Sequence, residues 1–77
     1  MTIQAFLETL RPVADIRYKV SIVDFMTGSL EAFAYPNDDT ADWTAFVQSI
    51  TDVWREAKEV HLSTANSDDV IISVVVN

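Results

Sequence analysis

The chain contains no cysteine and only one glycine among its 77 residues. The lack of cysteine excludes disulfides, thiolate catalysis, zinc ribbons and iron–sulfur ligation. With Gly28 as the single glycine, the sequence also lacks the glycine-rich loops that cradle phosphate groups. We therefore predict no cofactor, and the stability of the fold must come from packing.

Basic residues are also scarce. Five lysines and arginines stand against twelve aspartates and glutamates, which gives a formal net charge of −7. Such a charge repels phosphate backbones and anionic lipid heads over a Debye length of about 8 Å. We therefore expect no direct contact with nucleic acid or membrane. The charge serves either solubility or attraction to a basic protein partner.

Long apolar runs are missing as well. No stretch reaches the roughly 18 apolar residues of a membrane-spanning helix, and the first 15 residues lack the basic start and apolar stretch of a signal peptide. A cytoplasmic location is therefore the expectation. A chain this short buries only roughly 60% of its unfolded surface and cannot build two cores, so we expect one compact domain over residues 1–77.

Two stretches show the 3.6-residue period of amphipathic helices. The first, capped by Thr2 and closed by Pro12, predicts a helix over residues 3–11. The second predicts a long helix over residues 40–58 and places both tryptophans in the core. Its stripe consists of Trp43, Phe46, Val47, Ile50, Val53, Trp54 and Ala57.

Two-residue alternation predicts four strands in two hairpins. Residues 16–22 and 30–35 flank a turn at Thr27 and Gly28, and residues 60–64 and 70–76 flank turn-forming residues 66–69. The order αββαββ predicts an α+β fold with a four-stranded antiparallel sheet and both helices on one face. It is analogous to a circularly permuted ferredoxin-like unit, with the strands in the order first, second, fourth, third.

One face of this sheet is expected to stay uncovered and apolar. The side chains expected to face the helices are Val20, Ile22, Leu30, Ala32 and Ala34. The pleat then sends Val23, Phe25, Phe33, Tyr35, Ile71 and Val75 to the other face. An exposed apolar patch above roughly 400 Å² marks an interface, unless the first helix or a loop folds across it.

Candidate catalytic and metal-binding groups have simpler explanations. His61, the only histidine, has Ser63 and Thr64 nearby but no third group to orient it, so an edge histidine is favoured over a general base. Asp24 and Glu31 are expected to face each other across the first hairpin as solvated acids. Helix capping and turns explain two carboxylate-rich segments, residues 37–42 and 66–69, better than a calcium loop does. We predict no catalytic residue and no metal site.

The leading hypothesis is an acidic protein that binds a basic, nucleic-acid-binding surface of its target and inhibits it by occlusion. The acids expected to contact the partner are Asp38, Asp39, Asp42, Asp68 and Asp69, with Phe25, Phe33 and Tyr35 as apolar anchors. In size, charge and lack of cysteine the chain resembles phage-encoded anti-defence inhibitors, including anti-CRISPR proteins; this likeness covers composition and transfers no site. The alternative is a ferredoxin-like homodimer, formed through the open sheet face, that binds a small ligand or acts as an adaptor.

Overall fold

Two helices and four strands follow one another in the predicted order. The computed structural model describes residues 1–10, 13, 15–36, 42–66 and 68–77. The elements are α1 (Ile3–Glu8), β1 (Arg17–Asp24), β2 (Ser29–Ala34), α2 (Trp43–Ser49), β3 (Glu59–Asn66) and β4 (Asp69–Val75). The predicted α+β class is confirmed.

The sheet is mixed, with strand order β2-β1-β4-β3. Both hairpins are antiparallel, but β1 and β4 pair in parallel at the centre. The expected neighbours β2 and β4 are therefore not neighbours, and the ferredoxin-like strand order is not formed. β2 is exposed along nearly its whole length, whereas β1 buries side chains such as Val20 and Ile22. The strand that buries more apolar surface takes the central place.

Both helices lie on one face of the sheet, as predicted. Alternate side chains of β1 and β4 meet the apolar stripes of α1 and α2 in a single core. The indole Nε1 of Trp43 donates a buried hydrogen bond of 2.8 Å to the carbonyl oxygen of Leu7, which joins α2 to the last turn of α1. The buried core residues are Ile3, Leu7, Val20, Ile22, Trp43, Val47, Ile50, Ile72, Val74 and Val76.

The helix predicted over residues 40–58 is only seven residues long. Asp42 caps its start by accepting a hydrogen bond from the amide of Thr44 at 3.1 Å. After Ser49, Ile50 adopts an extended backbone with ψ 131°, and Asp52 enters the left-handed region with φ 57°. The backbone leaves the helix at this point although the apolar stripe continues.

The segment that follows α2 pairs with the start of the chain instead. The amides of Ile3 and Gln4 donate to the carbonyl oxygens of Arg55 and Val53, both at 2.9 Å. The amide of residue 57 donates to the first residue's carbonyl oxygen at 2.8 Å. This pairing satisfies amides at the N-terminus of α1, and it outweighs the modest helical propensity of residues 51–57. Trp54 consequently leaves the core and is 70% exposed, contrary to the prediction.

The register of β2 reverses its predicted faces. Val20 lies opposite Phe33, and Ser21 lies opposite Ala32. Because directly paired residues share a face, Phe33 and Tyr35 point to the helix side, and the open face receives Leu30, Ala32 and Ala34. The expectation that Phe33 and Tyr35 lie on the open face is therefore wrong.

An aromatic cluster on the helix side explains this register. The ring of Tyr35 packs edge-on against Tyr18, Trp43 and Phe46, with centroid distances of 6.4, 5.1 and 5.3 Å. Edge-to-face aromatic pairs add about 0.5–1.5 kcal/mol beyond the area they bury. The opposite register would exchange these contacts for those of small side chains such as Ala34.

Candidate functional site

The predicted partner-binding acids lie mostly at one end of the sheet. Asp69 accepts a hydrogen bond from Nε of Arg17 at 2.5 Å, and the carbonyl oxygen of Asp68 accepts one from the Arg17 amide at 2.7 Å. Asp42, the cap of α2, precedes the tryptophan that contacts Tyr18 at this same end. Asp38 and Asp39 fall outside the described residues. Asp42 and Asp69 are thus engaged in contacts within the protein.

The predicted aromatic anchors do not form one surface. Phe33 and Tyr35 are half-buried against the helix-side core. Phe25 follows the last residue of β1 and is 72% exposed. An eight-residue strand spans roughly 23 Å, and Phe25 is therefore separated by about that length from the acids near Arg17.

Several large apolar side chains are exposed where the first hairpin turns. Met26 is 81% exposed, and Leu30, on the open face of β2, is 67% exposed. Trp54 lies in the turn after α2, next to Arg55, whose side chain reaches the base of the hairpin. We call the set Phe25, Met26, Leu30 and Trp54 the hairpin-end surface. Sequence reasoning missed Met26 because it lies within the turn, and Trp54 because its place in the apolar stripe predicted burial.

Asp24 forms the base of this hairpin and is only 5% exposed. Its Oδ1 accepts hydrogen bonds from the amides of Met26 and Thr27 at 2.9 and 3.2 Å and from Nδ2 of Asn77 at 3.2 Å. Its Oδ2 accepts one from the Arg55 guanidinium at 3.2 Å. Burial by itself raises the pKa of Asp24, but these four hydrogen bonds outweigh it and hold the pKa below its ordinary value.

The predicted pairing of Asp24 with Glu31 is not formed. Asp24 lies opposite Ser29, and Glu31 lies opposite Ile22. Both carboxylates are on the helix side, but Asp24 is bound to Arg55 and the adjoining turn, whereas Glu31 is exposed. The two acids therefore have different environments.

A polar cleft of about 220 Å³ lies between the first hairpin and the turn after α2. It is lined by Ile22, Asp24, Thr27, Ser29, Glu31, Thr51, Asp52 and Arg55. Three carboxylates and one guanidinium give these eight residues a formal charge of −2. The Arg55 cation is already paired with Asp24, whereas the side chains of Glu31 and Asp52 have no hydrogen bond or ion pair to another described residue.

A larger cavity, of about 460 Å³, lies at the other end of β1. Arg17 and Lys19 line it from the open face, and the other lining residues are Tyr18, Ala34, Tyr35, Asp69, Val70 and Ile71. Arg17 is paired with Asp69, and Lys19 is exposed with no ionic partner among the described residues. The cavity at the start of β1 thus has two cations and one carboxylate that is paired with Arg17, whereas the cleft beside the end of β1 has two carboxylates without a partner among the described residues.

The remaining polar groups form no catalytic arrangement within the described ranges. His61 is exposed on β3, with Nε2 3.3 Å from Glu59 Oε2. Ser63 and Thr64 are exposed, and neither hydroxyl bonds to the imidazole. Among the described residues no group of three or more histidines, aspartates or glutamates could hold a metal ion.

Comparison of the chain with models of protein families, with curated proteins and with solved structures yields no match. In the part of the chain that the structure describes, no helix is long and apolar enough to cross a membrane. A functional conclusion therefore rests on the charge and the exposed surfaces of the molecule.

Proposed function

We propose that this chain is a small, acidic, non-catalytic protein that binds a basic surface of another protein. The observation that carries the proposal is the hairpin end of a protein of net charge −7. Exposed apolar side chains lie in and beside the turn whose Thr27 lines a cleft, and two carboxylates of this cleft have no partner among the described residues. Charge complementarity steers and orients association, and aromatic and methionine side chains supply the desolvated contacts.

The proposed consequence of binding is inhibition by occlusion. Basic protein surfaces commonly neutralise the phosphates of nucleic acids, and an acidic protein seated on such a surface competes with them. We propose that the chain acts in the cytoplasm in this manner, as phage-encoded anti-defence proteins do. Its twelve acidic side chains against five basic ones support this role, because they make direct binding of the nucleic acid itself unfavourable.

A displacement assay tests the proposal. Purified basic nucleic-acid-binding proteins from the source cell are loaded with a fluorescent DNA duplex, and the chain is added at increasing concentration. We expect release of DNA from at least one of them, with an apparent affinity that falls as salt rises. An unstructured glutamate-rich peptide of the same net charge is the control. Release no better than with this peptide contradicts the proposal, as does turnover of a small metabolite by the purified chain.

A second candidate is a homodimer formed through the open face that binds a small ligand or acts as an adaptor. It is favoured by the cavity beside Lys19, whose volume of about 460 Å³ falls in the range of ligand sites, roughly 300–1,000 Å³. Sedimentation equilibrium at low and high salt separates the two candidates. A dimer that persists at high salt favours the second; a monomer that captures a basic protein favours the first.

A further inference from the structure

We infer that the hairpin-end surface and the polar cleft beside it bind an arginine-presenting segment of a partner protein. This inference rests on the proposed function and assigns it to one end of the molecule. The surface consists of Phe25, Met26, Leu30 and Trp54, and the cleft contributes the carboxylates of Glu31 and Asp52.

Apolar exposure is the first reason for the assignment. Each of the four side chains is at least 67% exposed, and all belong to or adjoin the first hairpin and the 51–55 turn. Tryptophan is among the residues that dominate binding energy in protein interfaces, and phenylalanine and methionine are enriched there. Phe25 and Met26 occupy consecutive positions of a turn, so both can contact the same partner.

Charge is the second reason, and it selects the chemistry of the partner. Glu31 and Asp52 lie within one cleft, and Arg55, the one cation among its described lining residues, is held by Asp24 at 3.2 Å. Arg17 and Lys19 point to the opposite face of the sheet from the cleft, and Arg17 is roughly 23 Å from Asp24 along β1. A cationic side chain that approaches the cleft is therefore attracted by the two carboxylates and only weakly repelled by these cations.

The acceptor groups of the cleft favour arginine. A guanidinium presents several N–H donors in one plane and binds carboxylates through paired hydrogen bonds. Hydroxyl groups of Thr27, Ser29 and Thr51 line the same cleft and add acceptors. The bonds to Asp24 hold the backbone of the hairpin base in place, which lowers the part of the ordering cost of binding that comes from the turn backbone.

A titration with a defined peptide tests the assignment. The probe is an acetylated, amidated five-residue peptide with two arginines flanking a leucine, added to the ¹⁵N-labelled chain at low salt. We expect amide shift changes concentrated in residues 24–31 and 51–55. A peptide with citrulline in place of arginine keeps the shape without the charge, and we expect it to produce no saturable shifts. Shifts centred elsewhere, or equal shifts with citrulline, overturn the assignment.

Matched variants sharpen the test. Glu31→Gln should raise the Kd of the peptide by about tenfold, because a charge-assisted bond is lost. Asp15→Asn removes the same charge from an exposed residue outside the cleft, and should change the Kd by less than about twofold, as expected for a screened distant charge.

The apolar contribution has its own matched pair. Leu30 and Leu62 lie on the two edge strands and are 67% and 62% exposed. Leu30 points to the open face, so a segment bound in the cleft reaches it only by crossing the edge of β2. For such a segment, Leu30→Ala should raise the Kd of the peptide about threefold through lost apolar contact, and Leu62→Ala should leave the Kd unchanged. Equal effects of the two substitutions count against the hairpin-end surface.

A wrong site assignment and a wrong proposed function would give different experimental results. If the chain displaces DNA from a basic protein but Glu31→Gln and Leu30→Ala displace it equally well, the site assignment is wrong and the proposed function stands. If the arginine peptide binds at the hairpin end but no basic protein releases its DNA, the site stands and occlusion is wrong.

Discussion

The side chains on the two faces of the central strands differ sharply in how far they are buried. On the helix side, Val20, Ile72 and Val74 are at most 1% exposed. On the open side of the same strands, Ser21 and Ser73 are only half-buried, and Val75 at the end of β4 is the exception with 7% exposure. Burial is therefore concentrated on the helix side, and four of the seven large apolar side chains that are exposed among the described residues belong to the hairpin-end surface. A strand can be central in a sheet without being strongly apolar on both faces.

Adjacent isoleucines in β4 provide the largest expected contrast. Ile72 is 1% exposed on the helix side, and Ile71 is half-buried on the open side. Ile72→Ala should lower the free energy of unfolding by about 2–5 kcal/mol, because it leaves a cavity in the core. Ile71→Ala should cost about 1 kcal/mol, since less apolar area is lost. Urea unfolding followed by circular dichroism measures both, and equal losses would show that the open face is buried.

The two tryptophans give the next contrast. Trp43→Phe removes the indole donor, while the Leu7 carbonyl oxygen keeps its bond from the Leu10 amide at 3.2 Å, so the loss of one hydrogen bond should cost about 0.5–1.5 kcal/mol. Trp54→Phe should change stability by less than about 0.5 kcal/mol, because Trp54 is 70% exposed. Acrylamide should quench the fluorescence of the variant that retains Trp54 far more than that of the variant that retains Trp43. The reverse quenching order contradicts the early end of α2.

The register of β2 predicts a difference of similar size. Phe33 is half-buried against the core, and Phe33→Ala should cost about 1–2 kcal/mol, less than a fully buried phenylalanine. Ala32→Ser on the opposite face should stay within about 0.5 kcal/mol. If Ala32→Ser is instead the more damaging change in thermal unfolding, the register is shifted by one residue.

The smallest expected effect concerns pH. The pKa of Asp24 is lower in the folded protein than in the unfolded chain, so its ionised form stabilises the fold above the unfolded pKa. That contribution should be lost as pH falls through the folded pKa. Asp24→Asn should flatten the dependence of unfolding free energy on pH in this acidic window. Asp15→Asn is the control, and an unchanged slope in Asp24→Asn would refute the role of Asp24.

Local patterns were sufficient for the order of elements, but not for their ends or pairings. The Thr2 cap and the turn at Gly28, with φ 71°, follow from chemistry within a few residues and are confirmed. The end of α2 depends on carbonyl groups of residues 53 and 55 meeting the amides of α1, fifty residues away in sequence. The 3.6-residue pattern of apolar residues carries no information about such a contact.

The candidate site was harder to predict for the same reason. The carboxylates of Asp42 and Asp69 form hydrogen bonds within the protein, which their sequence positions do not reveal. Glu31 and Asp52 are distant in sequence and line one cleft only because the fold brings the first hairpin next to the 51–55 turn. The register of β2 was open to error because both of its faces carry apolar residues, so that alternation alone could not tell Phe33 from Ala32.

The parallel pairing of β1 with β4 affects how the chain folds during its synthesis. Arg17 pairs with Asp69, so the middle of the sheet cannot close until more than fifty further residues have been synthesised. Until then the first hairpin emerges from the ribosome with Val20 and Ile22 lacking their native cover. Contacts so distant in sequence slow folding. The nascent chain is therefore most vulnerable to aggregation and proteases just before its last strand appears.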